Sequence, residues 1–171
     1  GTAGLADLPY TINNINIQAH YASLQLPLGA WRSVDHSHNA FFVEGFIDEI
    51  AHRANADPCV FRIKHIEHMP RLGRVLREVA RLSNWDSKRE PNRYLGIACH
   101  HCFDSYIAQV AEVAINDNSI QVTKVYCAID CGLVIDPEGV TQQVESATIF
   151  GLSAALYGCL LYTSPSPRDS F

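Results

Sequence analysis

Three β-rich runs in close succession constrain this chain more than any other feature: Tyr94–Phe103, Tyr106–Ile115 and Ile120–Ile129. Each is dense in β-branched and aromatic residues, the side chains that suit a pleated, half-buried surface. Asn116-Asp117-Asn118 separates the last two runs and reads as a tight hairpin turn. Strands joined so briefly pair antiparallel, because a parallel crossover needs a dozen residues or more.

Upstream the period becomes helical. Phe42, Val43, Phe46, Ile47, Ile50, Ala51 and Ala54 recur at the spacing of one helical face, with Glu44, Asp48, Glu49, His52 and Arg53 largely opposite. The polar cluster Asp35, His36, Ser37 and His38 precedes this helix, with Asp35 or Ser37 as the expected cap. Asp57-Pro58 restarts the chain as an N-cap with proline at the first helical position, predicting a short helix to about His65. Pro70 opens another, with Leu72, Val75, Leu76, Val79 and Leu82 on its apolar side and Arg71, Arg74, Arg77 and Arg81 on its wet side. A last helix runs from about Pro137 to Tyr157, capped by Asp136, with Glu138 complementing the helix dipole. Its small residues, Ser146, Ala147, Gly151, Ser153, Ala154 and Ala155, predict a face buried against a sheet. Ahead of everything, Thr11–Leu24 alternates Ile15, Ile17, Ala19 and Tyr21 with Asn14, Asn16, Gln18 and His20, which predicts a half-buried strand. Strand, three helices, hairpin sheet and helix make the fold class α+β, antiparallel strands with three or four packed helices.

A hydrophobic fraction of 47% and a charged fraction of 18% over 171 residues fit a globular domain with a core. The net charge of −5 and the scattered Lys and Arg residues exclude a nucleic-acid partner. Six cysteines in this length do not make a disulfide framework. The longest uncharged run, Ser146–Pro167, is broken by glycine and Ser/Thr and ends proline-rich, so no transmembrane segment is expected. The chain starts at Gly1 without a charged-then-apolar leader, and both ends read as cut.

Three clusters could carry chemistry. Gly29, Trp31, Arg32 and Ser33 lie directly before a helix N-terminus, a setting that suits an anion. His36-x-His38 would share a face in an extended segment, as half of a hydrolytic metal centre whose third ligand would be His20, His100 or His101. Cys99-His100-His101-Cys102, with Cys127 and Cys131, invites a zinc-stabilised interaction domain. Against that, strand residues three apart point to opposite faces, so Cys99 and Cys102 cannot grip one ion. No metal ligand is therefore assigned. The chain has no dinucleotide-binding glycine motif, Walker loop or serine nucleophile elbow.

Longer stretches carry a family likeness. Gly29-Ala-Trp-Arg-Ser-Val, His36-Ser-His-Asn-Ala-Phe-Phe-Val-Glu, Phe46-Ile-Asp-Glu, Phe103-Asp-Ser-Tyr-Ile-Ala-Gln-Val-Ala-Glu-Val, Asp130-Cys-Gly-Leu-Val-Ile-Asp-Pro and Phe150-Gly-Leu-Ser-Ala-Ala-Leu stand in one order across residues 1–158. Together they resemble the molybdopterin-binding large subunits of the xanthine dehydrogenase/aldehyde oxidase family, of the isoquinoline 1-oxidoreductase type. The resemblance implies a bacterial oxidoreductase fragment that hydroxylates an N-heterocycle or aldehyde with oxygen from water. It implies a molybdenum-pterin dinucleotide of the cytosine type, and a small iron–sulfur subunit with 2Fe–2S clusters as partner. Arg32 matches the arginine of the family's loop beside the molybdenum, flanked by Trp31 and Ser33, so these three are the implied cofactor-binding residues. Gln143 and Glu145 are read as structural. The family's catalytic glutamate lies beyond this chain, which is expected to be inactive alone; no catalytic residue is assigned within it. Asp35, Asp104 and Ser146 stand where the family usually has glycine. From Cys159 the likeness breaks, and 159–171 reads as an adapter-derived, unpacked, non-native tail. A metal-dependent hydrolase using His36 and His38, or the zinc-stabilised domain, are the alternatives; the compartment is not legible.

Overall fold

A computed structural model describes residues 1–20, 22, 29, 31–116 and 119–158. The chain divides into two compact units, Gly1–Gly132 and Leu133–Phe171. The first holds α1 (His36–Arg53), α2 (Pro58–His65), α3 (Pro70–Leu82), β1 (Arg93–Cys102), β2 (Ser105–Asn116) and β3 (Ser119–Asp130). The fold is α+β, and its sheet is an antiparallel meander in the order β1-β2-β3.

The sheet register starts from its turns. Cys102 pairs with Ser105 across a two-residue turn, and Asn116 pairs with Ser119. Phe103 and Asp104 form the first turn with φ of 48° and 57°, the pair of left-handed residues whose twist matches two antiparallel strands. Asp104 is one of the positions where glycine was expected, and its positive φ supplies the reason. Asp35, with φ of −72°, and Ser146, inside a regular helix, need no glycine on that ground. The expected turn at Asn116–Asn118 falls on Asp117 and Asn118, outside the described residues, as does the segment 159–171.

α3 covers the sheet. Leu72, Val75, Leu76 and Val79 are buried and join Ile97, Cys99, Ala108 and Val110 of β1 and β2 in one core, with Val43 and Ile47 of α1 and Tyr10. Arg71 pins the start of α3 to the end of β3. Its guanidinium donates to both carboxylate oxygens of Asp130 at 3.1 and 2.8 Å and lies 4.3 Å from the centre of the Tyr106 ring. α2 begins as its sequence dictates: the Asp57 carboxylate accepts from the backbone N–H of Cys59 and Val60, and its other oxygen from Trp85 Nε1 at 2.8 Å.

α1 departs from the sequence reading in two ways. It starts at His36, so His36 and His38 lie in its first turn and not in an extended segment. Its buried face is His36, Asn39, Val43, Glu44, Ile47 and Ala51, while Phe42 and Phe46 are 58% and 61% exposed. The helix is turned so that Glu44 points inward, because three donors wait for its carboxylate there. Tyr10 Oη donates at 2.5 Å, Arg62 Nε at 3.0 Å, and the backbone N–H of Cys99 at 2.8 Å. Arg62 is fully buried, and it also donates to Asp48 at 2.6 Å and to the Glu44 carbonyl at 3.1 Å. A buried carboxylate with its charge and lone pairs answered in this way is tolerable inside a core.

Two further expectations are corrected. Residues 11–20 form no strand and are exposed throughout. The alternation names two faces but supplies no neighbouring strand, and none among the described residues pairs with it. In the second unit, α4 (Pro137–Tyr157) is capped by Asp136, whose carboxylate accepts from Gly139 N–H at 3.1 Å. It buries none of its residues, so its small-residue face is not covered as expected. No helix among the described residues is long and apolar enough to cross a membrane.

Candidate functional site

The loop before α1 is built from a tight reversal. Val34 N–H donates to the Trp31 carbonyl at 3.0 Å and His36 N–H to the Ser33 carbonyl at 3.1 Å. Ser33 and Val34 both take left-handed backbone, with φ of 70° and 53°. For a β-branched residue that conformation is costly, and the turn holds it only because helix and loop fix both ends. The result presents Trp31 and Arg32 outward, with Trp31 56% exposed. Ser33 is half-buried beside them.

Neither expected cap closes the start of α1. Asp35 stands at the cap position without a side-chain hydrogen bond to the helix, and its carboxylate instead meets the Gly1 ammonium at 3.1 Å. Ser37 Oγ donates back to the Val34 carbonyl at 3.0 Å. The positive end of the helix therefore faces the Trp-Arg-Ser loop uncapped by a side chain.

The two histidines expected to act together are separated by the helix. His38 is exposed and packs edge-on to Phe42 with ring centres 6.2 Å apart. His36 is buried, and its Nδ1 lies 3.0 Å from Nε2 of His100. Residues two apart on a helix are about 200° apart around its axis, which rules out a shared ion for this pair. The cysteines also disperse. Cys99 is buried beside the Tyr10 hydroxyl at 3.4 Å, and Cys127 accepts from Gln109 Nε2 at 3.8 Å. The period of two instead places His100 and Cys102 together, and both meet His36. That juxtaposition was missed because the cysteine spacing drew the reading to Cys99 and Cys102; the i, i+2 pair was the available signal. Burial, followed by the His36 imidazole, pushes the His100 imidazole down to about 4, so it is neutral at ordinary pH. Gln143 and Glu145 lie exposed on α4.

Residues 50–166 match the family model for the molybdopterin cofactor-binding domain. The chain belongs to the molybdopterin cofactor-binding domain family. Among its bacterial relatives, the beta chain of isoquinoline 1-oxidoreductase from Brevundimonas diminuta is 39% identical over 121 residues, 68% of this chain and 16% of that protein. A component of nicotinate dehydrogenase from Pseudomonas putida, the second of its named subunits, is 27% identical over 167 residues, 86% of this chain and 14% of that one. A membrane-bound aldehyde dehydrogenase from Gluconacetobacter polyoxogenes, named for pyrroloquinoline quinone, is 31% identical over 150 residues, 75% of this chain and 19% of its own. This molybdopterin-binding chain thus spans less than a fifth of the length of these relatives. No solved structure matches it significantly.

Proposed function

We propose that this molybdopterin-binding chain is one segment of the large subunit of a molybdenum hydroxylase, and that Trp31, Arg32 and Ser33 form one wall of its cofactor site. The family match over residues 50–166 carries the reading. The donor set supports the site. An exposed guanidinium, a hydroxyl and an indole on one turn, followed by a helix N-terminus without a side-chain cap, fit the anionic and aromatic parts of a molybdenum-pterin dinucleotide.

When bound, that group supplies the two-electron redox chemistry by which a substrate carbon takes up an oxygen from water. The chain's own contribution is binding and orientation. Arg32 offers a planar fork of donors to phosphate or to charge developing beside it, Ser33 offers one further donor, and Trp31 offers a flat face. The names of the relatives favour an N-heterocycle or aldehyde as substrate. A cytosine dinucleotide form of the cofactor and a small subunit carrying 2Fe–2S clusters complete the reading, with the catalytic glutamate supplied from elsewhere in the large subunit.

The test uses the intact enzyme. Arg32→Ala is expected to reduce bound molybdenum about tenfold or more, the loss of one charge-assisted contact, with iron content unchanged. Arg32→Lys should recover part of it. Molybdenum content and turnover both unchanged in Arg32→Ala would remove this loop from the site. An intact wild-type enzyme without molybdenum would remove the hydroxylase reading itself.

A further inference from the structure

We propose that His36 Nδ1, His100 Nε2 and Cys102 Sγ form a binding site for a divalent transition-metal ion of the zinc class, with a fourth position left for water or a carboxylate. The three ligand atoms lie within 4.8 Å of one another, and no other such group of three occurs among the described residues. They come from two elements that meet here: His36 from the first turn of α1, His100 and Cys102 from one face of β1. Two imidazoles and a thiol are a borderline-soft donor set, the kind that selects zinc over calcium or magnesium. The proposal is independent of the molybdenum reading and concerns different side chains.

The spacing is close to what an ion requires. Tetrahedral bonds of about 2.0–2.1 Å to nitrogen and 2.3 Å to sulfur put ligand atoms about 3.3–3.6 Å apart. The imidazole nitrogens stand at 3.0 Å, so they need only part by a few tenths of an ångström while the thiol draws in. Gly4, at φ of 82°, lets the backbone lie directly over the pair. A Cβ there would meet His36 Nδ1 at 3.1 Å and His100 Cε1 at 3.4 Å. Asp7 adds negative charge felt by His36, His100, His101 and Cys102.

The proton balance is definite. The His36–His100 hydrogen bond places a proton on one of the two facing nitrogens. Coordination moves it, so that the protons sit on His36 Nε2 and His100 Nδ1 and both facing lone pairs are available. Those imidazoles stay neutral. The Cys102 thiol, held up by burial, gives its proton to solvent, and about one proton leaves per ion bound.

Cobalt(II) serves as the probe, titrated into the reduced 171-residue chain without an affinity tag. The expected result is one equivalent bound, with the visible bands of tetrahedral cobalt, a thiolate-to-cobalt charge-transfer band, release of about one proton, and bleaching by zinc(II). Cys102→Ser should abolish the charge-transfer band, and His100→Gln should weaken binding about tenfold or more. His38→Ala, at an exposed histidine outside the cluster, should leave the titration unchanged. Far-UV circular dichroism checks each variant, and His36→Asn substitutes for any that unfolds. The absence of a stoichiometric cobalt band, or a charge-transfer band that survives Cys102→Ser, would overturn the site and leave a plain hydrogen bond between imidazoles.

Discussion

Arg62→Met is expected to destabilise the first unit by about 3–5 kcal/mol at neutral pH, the cost of stranding a buried charge. The guanidinium is fully buried and answers Glu44, Asp48 and a backbone carbonyl at once. Without it, Glu44 keeps only the Tyr10 hydroxyl and the Cys99 N–H as partners. Burial already pushes the Glu44 carboxyl up, and loss of Arg62 removes the main opposing pull. The folded state then holds a proton on Glu44 at pH values where the unfolded chain, near its ordinary value of about 4.3, does not. Stability therefore rises as pH falls through the folded-state value, and the deficit of the variant is largest at neutral pH and shrinks in acid. Adding Glu44→Gln should recover part of the loss, because no uncompensated charge is left inside. Urea denaturation at pH 7 and pH 5 measures both effects. A loss under about 1 kcal/mol, or one that grows in acid, would show that the pair is not a buried charge pair.

Leu76→Ala is expected to cost about 2–5 kcal/mol, the range for removing a fully buried leucine where neighbours collapse only in part. Leu76 is fully buried on α3, between Leu72, Val75 and Val79 on its own helix and the apolar face of the sheet. The denaturation midpoint should fall with the slope unchanged. Leu82→Ala, on the same helix but 40% exposed, should cost well under half as much. Equal losses at the two positions would mean that α3 does not dock as described.

Much of the fold was legible because its signals are local. Asp57-Pro58 marks the start of α2, Pro70 that of α3 and Asp136-Pro137 that of α4, and each helix begins where these residues place it. The three strands fall within a residue of the β-rich runs. What escaped depends on distant partners. Glu44 reads as a solvated helix residue until Tyr10, Arg62 and the Cys99 N–H are brought to it. The alternation at residues 11–20 fixes faces, not a neighbour, and the small residues of α4 permit close approach without supplying anything to approach. The Trp31–Ser33 turn was legible as a loop ahead of a helix, but not its two left-handed residues. His100 and Cys102 share a face by simple parity, yet only the folded chain brings His36 from 64 residues away.

The hydrogen bond from Cys99 N–H to Glu44 ties the rim of β1 to α1 across 55 residues, whereas the meander beside it is closed by two-residue turns. Short loops close at small entropic cost and long ones at greater cost, so the hairpins are expected to assemble early and the helix tie to follow the rate-limiting barrier. Changes at Glu44 or Arg62 should then accelerate unfolding and leave the refolding rate nearly untouched, a division that stopped-flow chevrons would read directly.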